Sequence, residues 1–192
     1  MRTQSDQSWL VSLLLQIALL VAIALPAGAL AATALEEIEQ GLKAQSNIEQ
    51  ISNEVVLQDL IAENSLLVLF DVRTADEFAI SHLPGAIRLD PGSSADDFFR
   101  NYGALLAGKQ PVFYCSVGRR STDLASTVAS QIRALDQIRP PANMIGGIFR
   151  WHNESKPLVN AEGSTDKVHP YSWYWKRLLE HPEKAIYKLP TH

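Results

Sequence analysis

The feature that most constrains the fold is a strand pattern that passes directly into a helix pattern around the only cysteine of the chain. Residues 111–114 form a short apolar, aromatic run that is typical of a buried strand. Beyond the cysteine, apolar residues recur with helical spacing at Leu124, Val128, Ile132 and Leu135. Cys115 therefore lies at the carboxyl end of a predicted strand, and its loop leads into a helix N-terminus. Ligands bind at that edge of open α/β sheets, so we predict that this loop is the functional site.

Strand and helix patterns alternate through residues 48–150, which predicts an α/β fold: an open parallel five-stranded sheet flanked by helices. We expect strands at residues 48–51, 65–70, 86–89, 111–114 and 143–148. A helix should follow the second strand, because Thr74 and Glu77 have the spacing of a capping box. We interpret Asp76 and Glu77 as first-turn helix charges, not as an acid–base pair.

The N-terminal 32 residues differ from the rest. Residues 9–25 are almost wholly apolar, and the small residues that follow place Ala29 and Ala31 in an A-x-A arrangement. This layout is typical of a secretory signal peptide, although the apolar run also approaches the length of a membrane anchor. We predict that residues 1–32 are one of the two and favour cleavage. The folded part would then be exported, either periplasmic or in membrane contact through residues 9–32.

The remaining chain divides into a linker or short helix at residues 33–47, a main domain at residues 48–160 and a C-terminal extension at residues 161–192. The extension contains five aromatic residues, which we expect to pack onto the domain. They are Tyr171, Trp173, Tyr174, Trp175 and Tyr187.

Composition argues against several function classes. The net charge is −4, and no block of Lys or Arg is present, so nucleic acid is a poor candidate partner. The five histidines show no metal-ligand spacing, and we predict neither a metal nor another cofactor.

The chemistry of the predicted loop follows from its residue types. A lone cysteine in an exported protein cannot form an internal disulfide, so Cys115 is either a buried core thiol or a reactive one. Thiolates are the reactive form, and helix N-termini, inward-pointing N–H groups and nearby arginines favour them. Gly118 allows the loop to curl into an anion-binding nest. Arg119 and Arg120 add positive charge, and at least one should reach an anionic substrate.

Four segments in this order resemble motifs of the rhodanese-like sulfurtransferase family. They are Asp71-Val72-Arg73 with Glu77-Phe78; His82-Leu83-Pro84-Gly85-Ala86-Ile87; Tyr114-Cys115-Ser116-Val117-Gly118-Arg119-Arg120-Ser121; and Gly146-Gly147-Ile148-Phe149-Arg150-Trp151. The resemblance extends from about Ile48 to Val159. It departs from the family pattern at Ser81, where glycine is usual.

By this resemblance, Cys115 accepts a sulfane sulfur from a small donor anion, becomes a persulfide and passes the sulfur to a thiol or cyanide. The N–H groups of Ser116, Val117, Gly118, Arg119 and Arg120 would cradle the persulfide. Arg120 matches the loop arginine of the family, and Arg119 is additional. Asp71, Arg73 and Ser121 would have supporting roles. Ser116 stands where many thiosulfate enzymes have a basic residue, which leaves the donor open.

Two other functions stay open at this stage. Cysteine phosphatases also wrap an anion above a helix N-terminus, but they require C-x5-R, and Arg120 lies one position short of that spacing. A rhodanese fold can also serve as a binding or sensing module without turnover. With no second cysteine in the chain, any acceptor thiol must be external.

Overall fold

A computed structural model describes residues 27–132 and 137–189 of the chain. Residues 1–26, and with them most of the predicted signal or anchor segment, lie outside the described residues, as does Leu135. Residues 27–32 begin a helix that continues through the predicted linker to Gln45. Within the described residues, we find no helix of the length and apolar character that crossing a membrane requires.

Helices and strands alternate along the described chain. In order they are α1 (Ala27–Gln45), β1 (Glu49–Ile51), α2 (Asn53–Leu60), β2 (Leu67–Asp71), α3 (Ala75–Ile80), β3 (Ile87–Arg88), α4 (Ala95–Tyr102), a 3-10 turn (Gly103–Leu106), β4 (Gln110–Tyr114), α5 (Arg119–Ile132), β5 (Ala142–Met144), α6 (Gly147–Asn153), β6 (Leu158–Asn160), β7 (Gly163–Thr165) and two 3-10 turns (Trp175–Leu178 and Pro182–Lys184).

The main sheet has five strands in the order β1-β5-β4-β2-β3, and every pair is parallel. The predicted five-stranded parallel α/β sheet is therefore confirmed. The chain leaves β2 toward β3 on one side and leaves β4 toward β5 on the other. The carboxyl ends of β2 and β4 thus flank the topological switch point, where open α/β sheets bind ligands.

Side chains alternate between the two faces of the sheet, as strand geometry requires. Val112 and Tyr114 of β4 face one apolar cluster, and Phe113 between them faces the other. The first cluster also contains Leu35 of α1 and Leu178 of the extension, so both ends of the described chain pack on the same face. Helices α4 and α5 supply the second cluster.

The predicted last strand is too long. Strand β5 ends at Met144, and Ile148 belongs to the buried helix α6. Gly146 and Gly147 have φ angles of 69° and 55°, and this left-handed backbone turns the chain out of the strand. An apolar run alone does not separate a strand from a buried helix, which explains the error.

The C-terminal extension packs through aliphatic residues, not mainly through its aromatic ones. Val168, Leu178 and Leu179 are buried. Trp173 is 81% exposed, and the expectation that it packs onto the domain is wrong. Tyr171 is half exposed and Trp175 is partly buried against the core.

Candidate active site

Cys115 immediately follows β4, and α5 begins at Arg119, so the predicted arrangement of strand, loop and helix is observed. The cysteine is 1% exposed. Gly118 has a φ angle of 95°, and its carbonyl accepts hydrogen bonds from the Thr122 N–H (3.0 Å) and Thr122 Oγ1 (2.7 Å). These bonds join the curled loop to the first turn of α5.

A second support for the loop comes from the N-terminus of α6. The Ile148 N–H donates to the Cys115 carbonyl (2.9 Å), and the Phe149 N–H donates to the Ser116 carbonyl (3.0 Å). A Cβ on Gly147 would overlap the carbonyl of Cys115. The close approach of α6 to the loop therefore requires glycine at this position.

Glu77, the third residue of α3, links the segment that follows β2 to the loop that follows β4. Its carboxylate accepts two hydrogen bonds from Arg120, from Nη1 at 3.0 Å and from Nη2 at 2.9 Å. Ser116 Oγ donates to the same carboxylate (3.2 Å) and accepts from Arg120 Nη2 (3.1 Å). Burial raises the pKa of Glu77, but the hydrogen bonds and charge of Arg120 outweigh it and lower this pKa to about 2. Glu77 is therefore a fixed negative charge beside the loop.

Arg120 is held on several sides. Burial lowers its pKa, but the hydrogen bonds to Glu77, the charge of Glu77 and a further contribution from Cys115 raise this pKa above the ordinary value. The guanidinium also lies 5.0 Å from the ring centroid of Tyr171, a cation–π arrangement. Most of the charge of Arg120 is thus compensated by Glu77, and its guanidinium lies near the Cys115 sulfur.

Arg119 differs from its neighbour. It is exposed and lines the cavity above Cys115. Among the side chains of residues 30–132 and 137–189, none forms an ion pair with it. Arg119 is therefore a positive charge at the cavity without an ion-pair partner among the described residues.

The cavity above Cys115 has a volume of about 100 Å³. Its lining residues are Cys115, Ser116, Val117, Arg119, Arg120, Tyr171 and Trp175. Five of them were predicted as catalytic or substrate-binding residues, and the structure brings them together. Gly118, the remaining predicted residue of the loop, does not line the cavity. A Cβ at this position would approach the Asn143 side chain to 3.0 Å.

The three predicted supporting residues lie outside the cavity lining. Asp71 and Arg73 form a fully buried ion pair (2.6 Å), and Arg73 Nη2 also donates to the Ser81 carbonyl (2.6 Å). This pair fixes the segment after β2 to the turn at residue 81. Ser121 Oγ donates to Asn143 Oδ1 (2.6 Å), which ties α5 to β5.

Sequence reasoning missed Glu77, Tyr171 and Trp175. Glu77 does form the predicted capping box, because its Oε2 accepts the Thr74 N–H (3.0 Å), but the same carboxylate also binds Arg120. Its position just after β2 at a switch point was the available signal. Nothing in the local sequence indicated that Tyr171 and Trp175 reach the cavity.

No group of three or more His, Cys, Asp or Glu side chains is arranged to hold a metal ion within the described part of the chain. His82 stacks on the Phe78 ring at a centroid distance of 3.7 Å.

Comparisons with known proteins place this geometry in context. The family model for the rhodanese-like domain matches residues 54–154. A search of curated proteins gave no significant match. The chain is similar to the solved structure of an As-Sb reductase from Leishmania major, with 18% identity and a TM-score of 0.50 over 59% of this chain and 86% of that one.

Two further solved structures are similar. One is a thiosulfate sulfurtransferase from Pseudomonas aeruginosa, with 18% identity and a TM-score of 0.49, covering 75% of this chain and 26% of that one. The other is the BH2092 protein from Bacillus halodurans, with 20% identity and a TM-score of 0.47, covering 67% of this chain and 87% of that one. At these identities the likeness concerns the fold alone.

Proposed function

Because the chain belongs to the rhodanese-like domain family, we propose that it is a sulfurtransferase in which Cys115 carries the transferred sulfur. The observation that supports this most strongly is the position of Cys115. It lies at the carboxyl end of β4, on a cavity of about 100 Å³ that two arginines also line. Cys115 lines this cavity although it is almost fully buried, and thiolates are in general favoured by nearby positive charge.

The proposed reaction has two steps. The Cys115 thiolate attacks the outer sulfur of a sulfane donor, and the sulfur–sulfur bond of the donor breaks. The rest of the donor leaves with the electron pair, as sulfite does from thiosulfate. The product is a Cys115 persulfide anion. Cyanide or an external thiolate then attacks the outer sulfur, and the bond to Cys115 breaks to regenerate the thiolate.

The surrounding residues have different roles in the proposed reaction. The N–H groups of the loop after Cys115 stabilise the persulfide anion, since a curled loop at a helix N-terminus is an anion-binding nest. Arg119 binds the oxyanion end of the donor. Arg120, oriented by Glu77 and Ser116, keeps a positive charge near the sulfur. Asp71, Arg73 and Ser121 hold the segments that carry these groups.

A turnover assay tests the proposal. The purified chain is incubated with thiosulfate and cyanide, and thiocyanate is measured; a thiosulfonate donor and a thiol acceptor are tested in parallel. We expect turnover by the wild type and a loss of at least ~10³-fold in Cys115→Ser, which removes the nucleophile. Equal melting temperatures for the two proteins would exclude unfolding as the cause.

The alternatives give different results in the same experiment. If no donor and acceptor pair is turned over, the proposal fails and the binding-module reading is favoured. Hydrolysis of para-nitrophenyl phosphate that depends on Cys115 would instead support a phosphatase.

We also propose that the protein is exported, on the basis of the apolar run at residues 9–25 and the small residues after it. Sequencing the N-terminus of the mature protein tests this. A new N-terminus near residue 32 would support a cleaved signal peptide. An intact N-terminus in a membrane fraction would support an anchor, and an intact N-terminus in the cytosol would contradict export.

A further inference from the structure

Two residues of the C-terminal extension form a wall of the cavity above Cys115. Tyr171 and Trp175 line it together with the loop residues, and their rings meet edge to face at a centroid distance of 6.4 Å. Trp175 is partly buried against the core, which fixes its position. The wall is therefore aromatic and belongs to the same cavity as the nucleophile.

Tyr171 is held in an unusual conformation. Its φ angle is 63°, and a bulky residue in the left-handed region is uncommon. Its N–H donates to His169 Nδ1 (3.0 Å), and its ring lies on the Arg120 guanidinium. Such backbone conformations persist where the surroundings fix them, and they are frequent at functional sites. The hydrogen bond thus holds the backbone of Tyr171 within the extension, and the contact with Arg120 places its ring at the site.

The charge of the cavity points to a ligand with a single negative charge. Glu77 compensates Arg120, which leaves Arg119 as the free cation among the described residues that line the cavity. In the proposed reaction, the nucleophilic thiolate of Cys115 adds a negative charge. The faces of aromatic rings are also electronegative, so they repel anionic groups and accept apolar ones. A second oxyanion on the donor would therefore find no second free cation among the described residues that line the cavity.

We propose that Tyr171 and Trp175 determine donor specificity and favour an organic thiosulfonate, R–SO₂–S⁻, over the dianion thiosulfate. The proposal rests on the sulfurtransferase function stated above. Arg119 binds the single charge of the donor, and the aromatic wall contacts the R group. The donor loses its outer sulfur to the Cys115 thiolate, the sulfinate R–SO₂⁻ leaves with the electron pair, and the Cys115 persulfide anion forms.

Two donors of almost the same shape test this. Methanethiosulfonate and thiosulfate differ only by a methyl group in place of one oxyanion. The measured quantity is the ratio of kcat/KM for the two donors with cyanide as acceptor. Comparing this ratio between variants cancels the different intrinsic reactivities of the donors.

The central variant is Tyr171→Asn, because asparagine accepts the left-handed backbone but has no aromatic face. We expect it to lower the preference for methanethiosulfonate about fourfold, the effect of one methyl-sized apolar contact. Tyr171→Phe should keep the wild-type ratio. Trp173→Ala is the matched control, since Trp173 belongs to the same segment but is 81% exposed and does not line the cavity.

The outcomes separate the two proposals. Turnover of both donors with the same ratio in wild type and Tyr171→Asn would overturn the specificity role while the sulfurtransferase function stands. An equal fall in Trp173→Ala would also overturn it. Turnover of neither donor by the wild type would overturn both. If Tyr171→Asn fails to fold, Trp175→Phe is tested instead, because it reduces the aromatic surface of the wall. It should also lower the ratio of kcat/KM for methanethiosulfonate over thiosulfate. An unchanged ratio in this variant would overturn the specificity role.

Discussion

The loop from Cys115 to Arg120 and the segment from His169 to Trp175 line the same cavity but are held in different ways. The loop is buried from Cys115 to Gly118 and is fixed by α3, α5 and α6 through hydrogen bonds to its backbone and side chains. The extension segment is more exposed and contacts the loop through the cation–π pair of Tyr171 with Arg120. We therefore assign the chemistry of the proposed reaction to the loop and the choice of donor to the extension.

The loop also shows how two adjacent arginines acquire different roles. Arg120 points toward Glu77 and Ser116 and is largely compensated, whereas Arg119 is exposed to the cavity without an ion-pair partner among the described residues. Although both residues are arginine, we therefore expect substitutions of Arg119 and of Arg120 to have different effects. Three substitutions at or beside the loop, with effects of decreasing size, test these assignments.

The largest effect is expected at Gly147, which packs closely against the Cys115 carbonyl. Gly147→Ala would place a Cβ against the Cys115 carbonyl at a left-handed backbone position. We expect a loss of more than about 3 kcal/mol of unfolding free energy together with the loss of turnover. Urea denaturation measures the first quantity. Gly85→Ala is the matched control, because Gly85 also has a positive φ but open space around it, and it should cost only about 1 kcal/mol. Equal losses in both variants would contradict the tight packing of α6 on the loop.

The next effect is expected at Glu77. Its pKa of about 2 lies below the unfolded value, so the ionised carboxylate stabilises the fold above about pH 4.5, and this stabilisation is lost as the pH falls toward 2. Glu77→Gln should cost about 2 kcal/mol at pH 7 and flatten the pH dependence of stability in that range. Exposed Asp76→Asn, on the same helical turn, is the control. If the stability of Glu77→Gln depended on pH as that of the wild type does, another titrating group would be responsible for this dependence.

The smallest of the three is expected at Arg119. Arg119→Ala removes the uncompensated charge and should raise KM for an anionic donor about tenfold, since a charge-assisted hydrogen bond contributes about 1.5 kcal/mol. Unfolding free energy should stay unchanged, because the side chain forms no ion pair with the described residues. Arg119→Lys should recover part of the binding. A change in stability without a change in KM would reverse the roles assigned to the two arginines.

The sequence predicted most of the fold because the five strands leave local signals. Apolar runs of strand length alternate with helical spacing, and Thr74 and Glu77 form the capping box that their spacing indicates. The exception is the segment after Met144, where the apolar run continues although the backbone turns into α6. In the sequence, only the paired glycines marked the change from strand to helix. Gly147 packs against the Cys115 loop, so its conformation depends on a tertiary contact.

The site was predictable only where its residues are consecutive. Cys115 and its loop could be found from one stretch of chain. Glu77 serves as a capping residue and as the partner of Arg120 at once, and the capping pattern explained it fully at the sequence level. Tyr171 reaches the cavity because the buried Val168, Leu178 and Leu179 dock the extension, and this docking is a tertiary property without a local pattern.

Intact-mass spectrometry of the protein after exposure to a sulfane donor measures whether Cys115 carries the transferred sulfur. We expect that the wild type gains the mass of one sulfur atom, that cyanide removes it, and that Cys115→Ser gains none. The claim would be contradicted if the wild type gained no sulfur from either thiosulfate or methanethiosulfonate, or if Cys115→Ser gained the same mass.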